Sequence, residues 1–152
     1  GGGTWALSPD QLSGLTITPP PGSDADFNLT VMATSNDGSD TAQTVDTFDV
    51  TVSAVADAPT VTANNVSGNE DTAIALDIAS GLTDTDGSES LSVVVSGVPS
   101  GATLSAGTDN GDGTWTLTQA QLTGLTLTPP TNSDGDFTLT VTATSTDGSD
   151  TA

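Results

Sequence analysis

Lysine, arginine, histidine, cysteine and tyrosine are all missing from the 152 residues. Without Lys or Arg there is nothing to neutralise phosphates, so nucleic acid is excluded as a partner. A polybasic contact with an anionic membrane is excluded on the same ground. Hydrolysis by paired carboxylates normally draws on His, Lys, Arg or Tyr to position a substrate, and with none of the four present the chain reads as no enzyme. Missing Cys rules out disulfide staples, and missing Lys rules out Lys–Asn isopeptide cross-links. No stretch approaches the roughly 18 apolar residues of a transmembrane helix, so no membrane insertion is expected. Nor does a charged-then-apolar leader open the chain, which starts with Gly rather than Met and reads as an internal piece of something longer, so export is not legible from it directly. Aromatics are scarce, at two Trp and three Phe. That weakens the case for a carbohydrate-binding module, whose sites usually rely on several exposed rings.

What is present is acid. The formal charge of −20 comes from 18 Asp and only two Glu, Glu70 and Glu89. Self-repulsion of that size opposes a compact state, and the bias to Asp favours neutralisation by bound cations, since short carboxylates suit tight oxygen-ligand loops. Val, Ile, Leu and Thr alternate in runs bounded by Gly, Pro, Asn and Asp, which argues for strands and against an acidic disordered linker.

An internal repeat organises the chain. Residues Gly3–Ala42 realign without a gap on Gly113–Ala152, at an offset of 110 and with 28 of 40 positions identical. One repeat is therefore 110 residues, a usual domain size. The boundary falls at Val55-Ala56-Asp57-Ala58-Pro59. Residues 1–56 are then the C-terminal half of one repeat, 57–59 a linker, and 60–152 the next repeat without its last strand. Each gap leaves a sheet edge that neighbouring sequence is expected to fill.

Alternation predicts strands at Val45–Val55, Thr60–Ala63, Ile74–Ile78, Leu91–Val95, Ala102–Ser105, Thr114–Thr118, Leu125–Thr128 and Phe137–Thr144. Short strands at turn-marked spacing imply an all-β sandwich. Ser8-Pro9-Asp10-Gln11 and Thr118-Gln119-Ala120-Gln121 carry the cap and Gln of a capping box, so each predicts one helical turn. Trp5 and Trp115 open repeat-equivalent strands and are expected in the core. Asp109-Asn110-Gly111-Asp112-Gly113 reads as a hairpin turn.

Three acidic clusters recur at the expected sheet ends. They are Asp24-Ala25-Asp26 with its copy Asp134-Gly135-Asp136, Asp84-Thr85-Asp86-Gly87-Ser88-Glu89, and Asp37-Gly38-Ser39-Asp40 with its copy Asp147-Gly148-Ser149-Asp150. The D-x-D-G spacing puts two carboxylates on one side of an extended loop, with Gly permitting the turn beyond, as in the start of a Ca²⁺ shell. Each cluster alone reads equally well as a plain turn. Uncompensated clustering in a chain without a cation points to metal.

Thr83-Asp84-Thr85-Asp86-Gly87-Ser88 resembles the D-x-D-x-G loop of cadherins, and Gly68-Asn69-Glu70-Asp71 is similar to the Glu motif on their first strand. Leu139–Thr144 with Gly148 resembles their penultimate strand, and Asp57-Ala58-Pro59 a shortened linker. Over nearly the whole chain the resemblance is closest to the bacterial cadherin-like, Ig-like tandem repeats of giant RTX-type surface adhesins. It implies an Ig/cadherin-like Greek-key β-sandwich with Ca²⁺ at each domain junction. Carried over by position, Asp24, Asp26, Asp57, Asp84, Asp86 and Asp147 would serve one junction. Glu70, Asp71, Asp134 and Asp136 would serve the next. The linker holds one acid where cadherins hold several, which implies fewer ions. The function implied is a Ca²⁺-rigidified extender on a secreted or cell-surface stalk, its partners being neighbouring repeats. A fibre of laterally associating copies is the alternative.

Overall fold

The computed structural model describes residues 3–152, and those residues are all-β with almost no helix. Twelve strands form antiparallel sheets. They are β1 (Phe27–Asp37), β2 (Asp40–Val50), β3 (Thr60–Asn64), β4 (Ile74–Ala75), β5 (Asp77–Gly81), β6 (Ser90–Ser96), β7 (Thr103–Leu104), β8 (Thr108–Asp109), β9 (Thr114–Leu117), β10 (Thr126–Thr128), β11 (Thr140–Asp147) and β12 (Asp150–Thr151). The sheets run β1-β2, β3-β5, β4-β10-β7 and β12-β11-β6-β9-β8. Among the described residues no helix is long and apolar enough to cross a membrane.

The alternation of β6, Ser90-Leu-Ser-Val-Val-Val-Ser, buries Val93 and Val95 completely. Leu117 of β9, Leu104 of β7, and Leu125 and Leu127 around β10 pack against them, so the inward faces of the two larger sheets meet in one core. Every buried core residue lies between Val93 and Leu127. Residues 3–56 contribute none, and their Leu7, Leu12, Leu15, Ile17, Val31 and Met32 are exposed. Trp5 is likewise 86% exposed, against the expectation of a core position, because no second sheet covers it. Its copy Trp115 is partly buried against the core.

Both helical turns form where the capping boxes place them. Gln11 Oε1 accepts the backbone N–H of Ser8 at 2.8 Å, and Gln121 Oε1 that of Thr118 at 2.9 Å. The expected strand Ile74–Ile78 is broken at Leu76. There the backbone N–H bonds the Leu125 carbonyl at 2.9 Å, and the chain passes from the sheet of β10 to that of β3. The strand expected at Val45–Val55 begins earlier and stops at Val50, where its partner β1 begins.

The strand expected at Phe137–Thr144 begins only at Thr140, although its copy β1 begins at Phe27. Phe27 pairs with Val50, whereas β11 is paired on one side only until Ser145 exchanges hydrogen bonds with Ala152. A residue with no neighbour on either side has no ladder to hold it extended. The two hairpin tips match: Asp37 pairs with Asp40 and Asp147 with Asp150, with Gly38 and Gly148 in the left-handed region at φ 63° and 57°.

Candidate metal centre

Two inward-facing strands end in acid. Along β11 the alternation that half-buries Val141 and Ala143 continues through Ser145, which is fully buried, to Asp147, only 2% exposed. On β6 the same phase runs back from Val95, Val93 and Leu91 to Glu89. The β6–β11 register pairs Ser90 with Thr146, so Glu89 and Asp147 stand opposite each other one step further on.

The linker is threaded across this end. The N–H of Asp57 donates to Glu89 Oε1 at 2.6 Å, and the Asp57 carbonyl accepts from the Ser145 hydroxyl at 2.5 Å. Thr83 Oγ1 donates to the Ala58 carbonyl at 2.7 Å, and the Ala56 N–H reaches Asp150 Oδ2 at 3.0 Å. From the first repeat, Gly22 presses on Asp84. A Cβ added there would overlap the Asp84 carboxylate. Asp24, half-buried, shares a hollow with Asp57, Val52 and Val55.

Three carboxylate oxygens here are buried with no hydrogen-bond partner: Asp84 Oδ2, Glu89 Oε2 and Asp147 Oδ1. A buried carboxylate oxygen can only accept, and leaving one unpaired costs about 1–3 kcal/mol or more. The chain holds no cationic side chain to answer them. The donor set of hard oxygens fits Ca²⁺. Among the described residues, no group of three or more acidic side chains is drawn together as a ligand cage.

The expected ligands divide. Asp24, Asp57, Asp84 and Asp147 lie along the linker crossing, and Glu89, not assigned from sequence, lies among them. Its signal was the two-residue step from Leu91, which makes it an acid in an inward position. Asp26 is exposed, its Oδ1 accepting the Val52 N–H at 2.8 Å. Asp86 is exposed too. Its Oδ1 accepts the Ser88 hydroxyl at 2.6 Å and the Ser88 N–H at 2.8 Å, and these hold its carboxyl below the usual range, the hydroxyl most of all.

At the opposite end Glu70, Asp134 and Asp136 line one cleft, and Asp71, at φ 58°, accepts the Asn132 N–H at 2.9 Å. All four are exposed. The Asp109–Gly113 segment forms the expected hairpin turn between β8 and β9. Comparison with profiles of known protein families, with curated protein sequences and with solved structures finds no match.

Proposed function

We propose that this chain is a Ca²⁺-rigidified extender segment of a secreted or bacterial surface stalk, built from tandem Ig/cadherin-like Greek-key sandwiches. One observation carries the reading: partnerless buried oxygens of Asp84, Glu89 and Asp147 at the place where the linker crosses, in a chain without a cation. Asp84, Glu89 and Asp147, with Asp57 and Asp24 beside them, would hold the ion, and Asp26 and Asp86 add charge near it. Glu70, Asp71, Asp134 and Asp136 would serve the following junction.

The ion supplies positive charge and several oxygen-binding positions. The residues do the mechanical work. Asp57 ties the linker backbone to Glu89 and Ser145, Thr83 ties Ala58, and Gly22 lets the preceding repeat close on Asp84. With the carboxylates neutralised these ties act together, and without the cation the repulsion of Glu89 and Asp147 works against them. Small-angle scattering in millimolar Ca²⁺ and in excess chelator tests the reading. The expected result is a longer maximum dimension and a narrower distance distribution in Ca²⁺, and identical profiles would refute it.

A further inference from the structure

Asn110 is the only asparagine of the chain that is followed by glycine. Asparagine is thermolabile, and in this pair no side chain shields the following amide. The Gly nitrogen, once its proton has passed to water or hydroxide, attacks the Asn side-chain carbonyl. A bond from nitrogen to Cγ closes a cyclic imide, and Nδ2 leaves as ammonia. Water then opens the ring at either carbonyl, giving aspartate or an isoaspartate with one extra carbon in the main chain. Net, one water is taken up and one ammonia released.

In the β8–β9 hairpin both reacting groups are engaged elsewhere. Asp109 Oδ1 accepts the Gly111 N–H at 2.8 Å, so the proton that must leave is held. Asn110 Nδ2 donates to Thr114 Oγ1 at 2.9 Å and to Thr116 Oγ1 at 3.1 Å, which anchors the amide to β9, and the Asn110 N–H donates to the Thr114 carbonyl at 3.0 Å. These ties sit at a weak margin. β8 is a two-residue edge strand, paired with β9 alone, and Asp109, Asn110 and Gly111 are exposed. Such edges open at the low end of a domain's free-energy range. A Cβ at Gly111 would meet nothing within 4 Å, so the opened turn has room for the ring.

We propose that Asn110–Gly111 is a self-modification site, with water as its only co-reactant, gated by the β8–β9 hairpin. Closed, the hairpin withholds the amide; open, it releases the amide to attack. The product hinders reclosure. The Thr114 hydroxyl gives its own proton to Asp112 Oδ1, so a carboxylate oxygen in place of Nδ2 meets an oxygen with no proton to offer. The new charge also stands between Asp109 and Asp112, and the extra carbon of isoaspartate shifts the register that ties Asn110 to Thr114. The change runs one way because ammonia is lost. It is independent of the metal reading, since Thr114 pairs with Ser96 at the far end of β6 from Glu89.

The test incubates the full chain beside a capped peptide of residues 108–117 in one buffer and follows conversion at Asn110 by peptide mapping, with mass detection of the exchange of amide for acid. The peptide should convert at least about tenfold faster, a factor that corresponds to about 1.4 kcal/mol of closure, within reach of one or two hydrogen bonds. Thr116→Val removes one acceptor of the amide and keeps a β-branched residue in the strand, so its rate should move toward the peptide's. If that variant does not fold, the parent in urea below its unfolding midpoint decides, its rate rising with local opening. Equal rates in chain and peptide overturn the gate, as does a rate unmoved by both Thr116→Val and urea, and a peptide that does not convert overturns the site. Asn110→Asp carries one product. Its Thr114 amide should lose hydrogen-exchange protection while Val93 and Leu117 keep theirs, and unchanged protection at Thr114 would overturn the hindered reclosure.

Discussion

Glu89 and Asp147 face each other across the β6–β11 ladder, both on the inward face, and each leaves one buried oxygen without a partner. Like charges placed directly opposite destabilise a sheet, where favourable cross-strand pairs contribute about 0.2–1 kcal/mol. Glu89→Gln keeps a carbonyl oxygen for the Asp57 N–H and removes one charge. In chelator the variant should be at least as stable as the parent, by up to about 1 kcal/mol. In Ca²⁺ the order should reverse. A ligand at 100 times its dissociation constant adds about 2.7 kcal/mol, or roughly 10–20 °C for a domain of this size, and the variant should lose most of that. Thermal unfolding under the two conditions checks both signs.

Gly22 and Gly14 offer a paired comparison. Both have positive φ, 75° and 74°, but a Cβ on Gly22 meets Asp84 while one on Gly14 meets nothing within 4 Å. Each Ala substitution carries the same left-handed penalty of about 1–2 kcal/mol in its own loop. Gly22→Ala should weaken Ca²⁺ binding in calorimetry, and Gly14→Ala should not. Equal affinities would show that the first repeat does not close on Asp84.

Leu15 and Leu125 occupy the same place in the two copies, yet Leu15 is 58% exposed and Leu125 only 1%. Leu125→Ala should cost about 2–5 kcal/mol in denaturant unfolding, and Leu15→Ala less than about 0.5 kcal/mol. A large effect at Leu15 would mean that residues before the linker have a core of their own.

Asp112 Oδ1 accepts the Thr114 hydroxyl at 2.6 Å and the Thr114 N–H at 3.0 Å. These hold its carboxyl below the usual range, the hydroxyl contributing most. A lowered carboxyl pKa means stability that is present above the ordinary Asp range and is lost as pH falls through the lowered value. Thr114→Val keeps the strand and the backbone bond but removes the hydroxyl. The Asp112 titration midpoint, followed by carboxyl carbon resonances, should move up toward the ordinary value.

The repeat, the alternation and the caps were legible because each is a local pattern. Val93, Val95 and Leu117 follow from it, as do the turns at Pro9 and Gln119. The crossing at Leu76 was not, because a strand that changes sheets keeps its alternation while changing partners. The late start of β11 was also hidden, since Phe27 and Phe137 sit in near-identical sequence and differ only in what lies beside them. Asp147 was assigned by resemblance, but its burial follows from the phase of Val141, Ala143 and Ser145. The same phase, stepped back from Leu91, points Glu89 inward, whereas the D-x-D-G spacing points to Asp86, whose carboxylate is engaged by Ser88.

Calorimetric titration of Ca²⁺ into the metal-free chain, beside the Asp84→Asn/Asp147→Asn double variant, bears most directly on the junction. Saturable binding by the parent should be lost or weakened at least about a hundredfold in the variant, the loss expected when two charged ligands of one ion are neutralised at about 1.4 kcal/mol or more each. Absence of binding heat in the parent together with an unfolding curve unchanged by Ca²⁺, or equal affinity in the two proteins, would contradict a Ca²⁺ site at the linker.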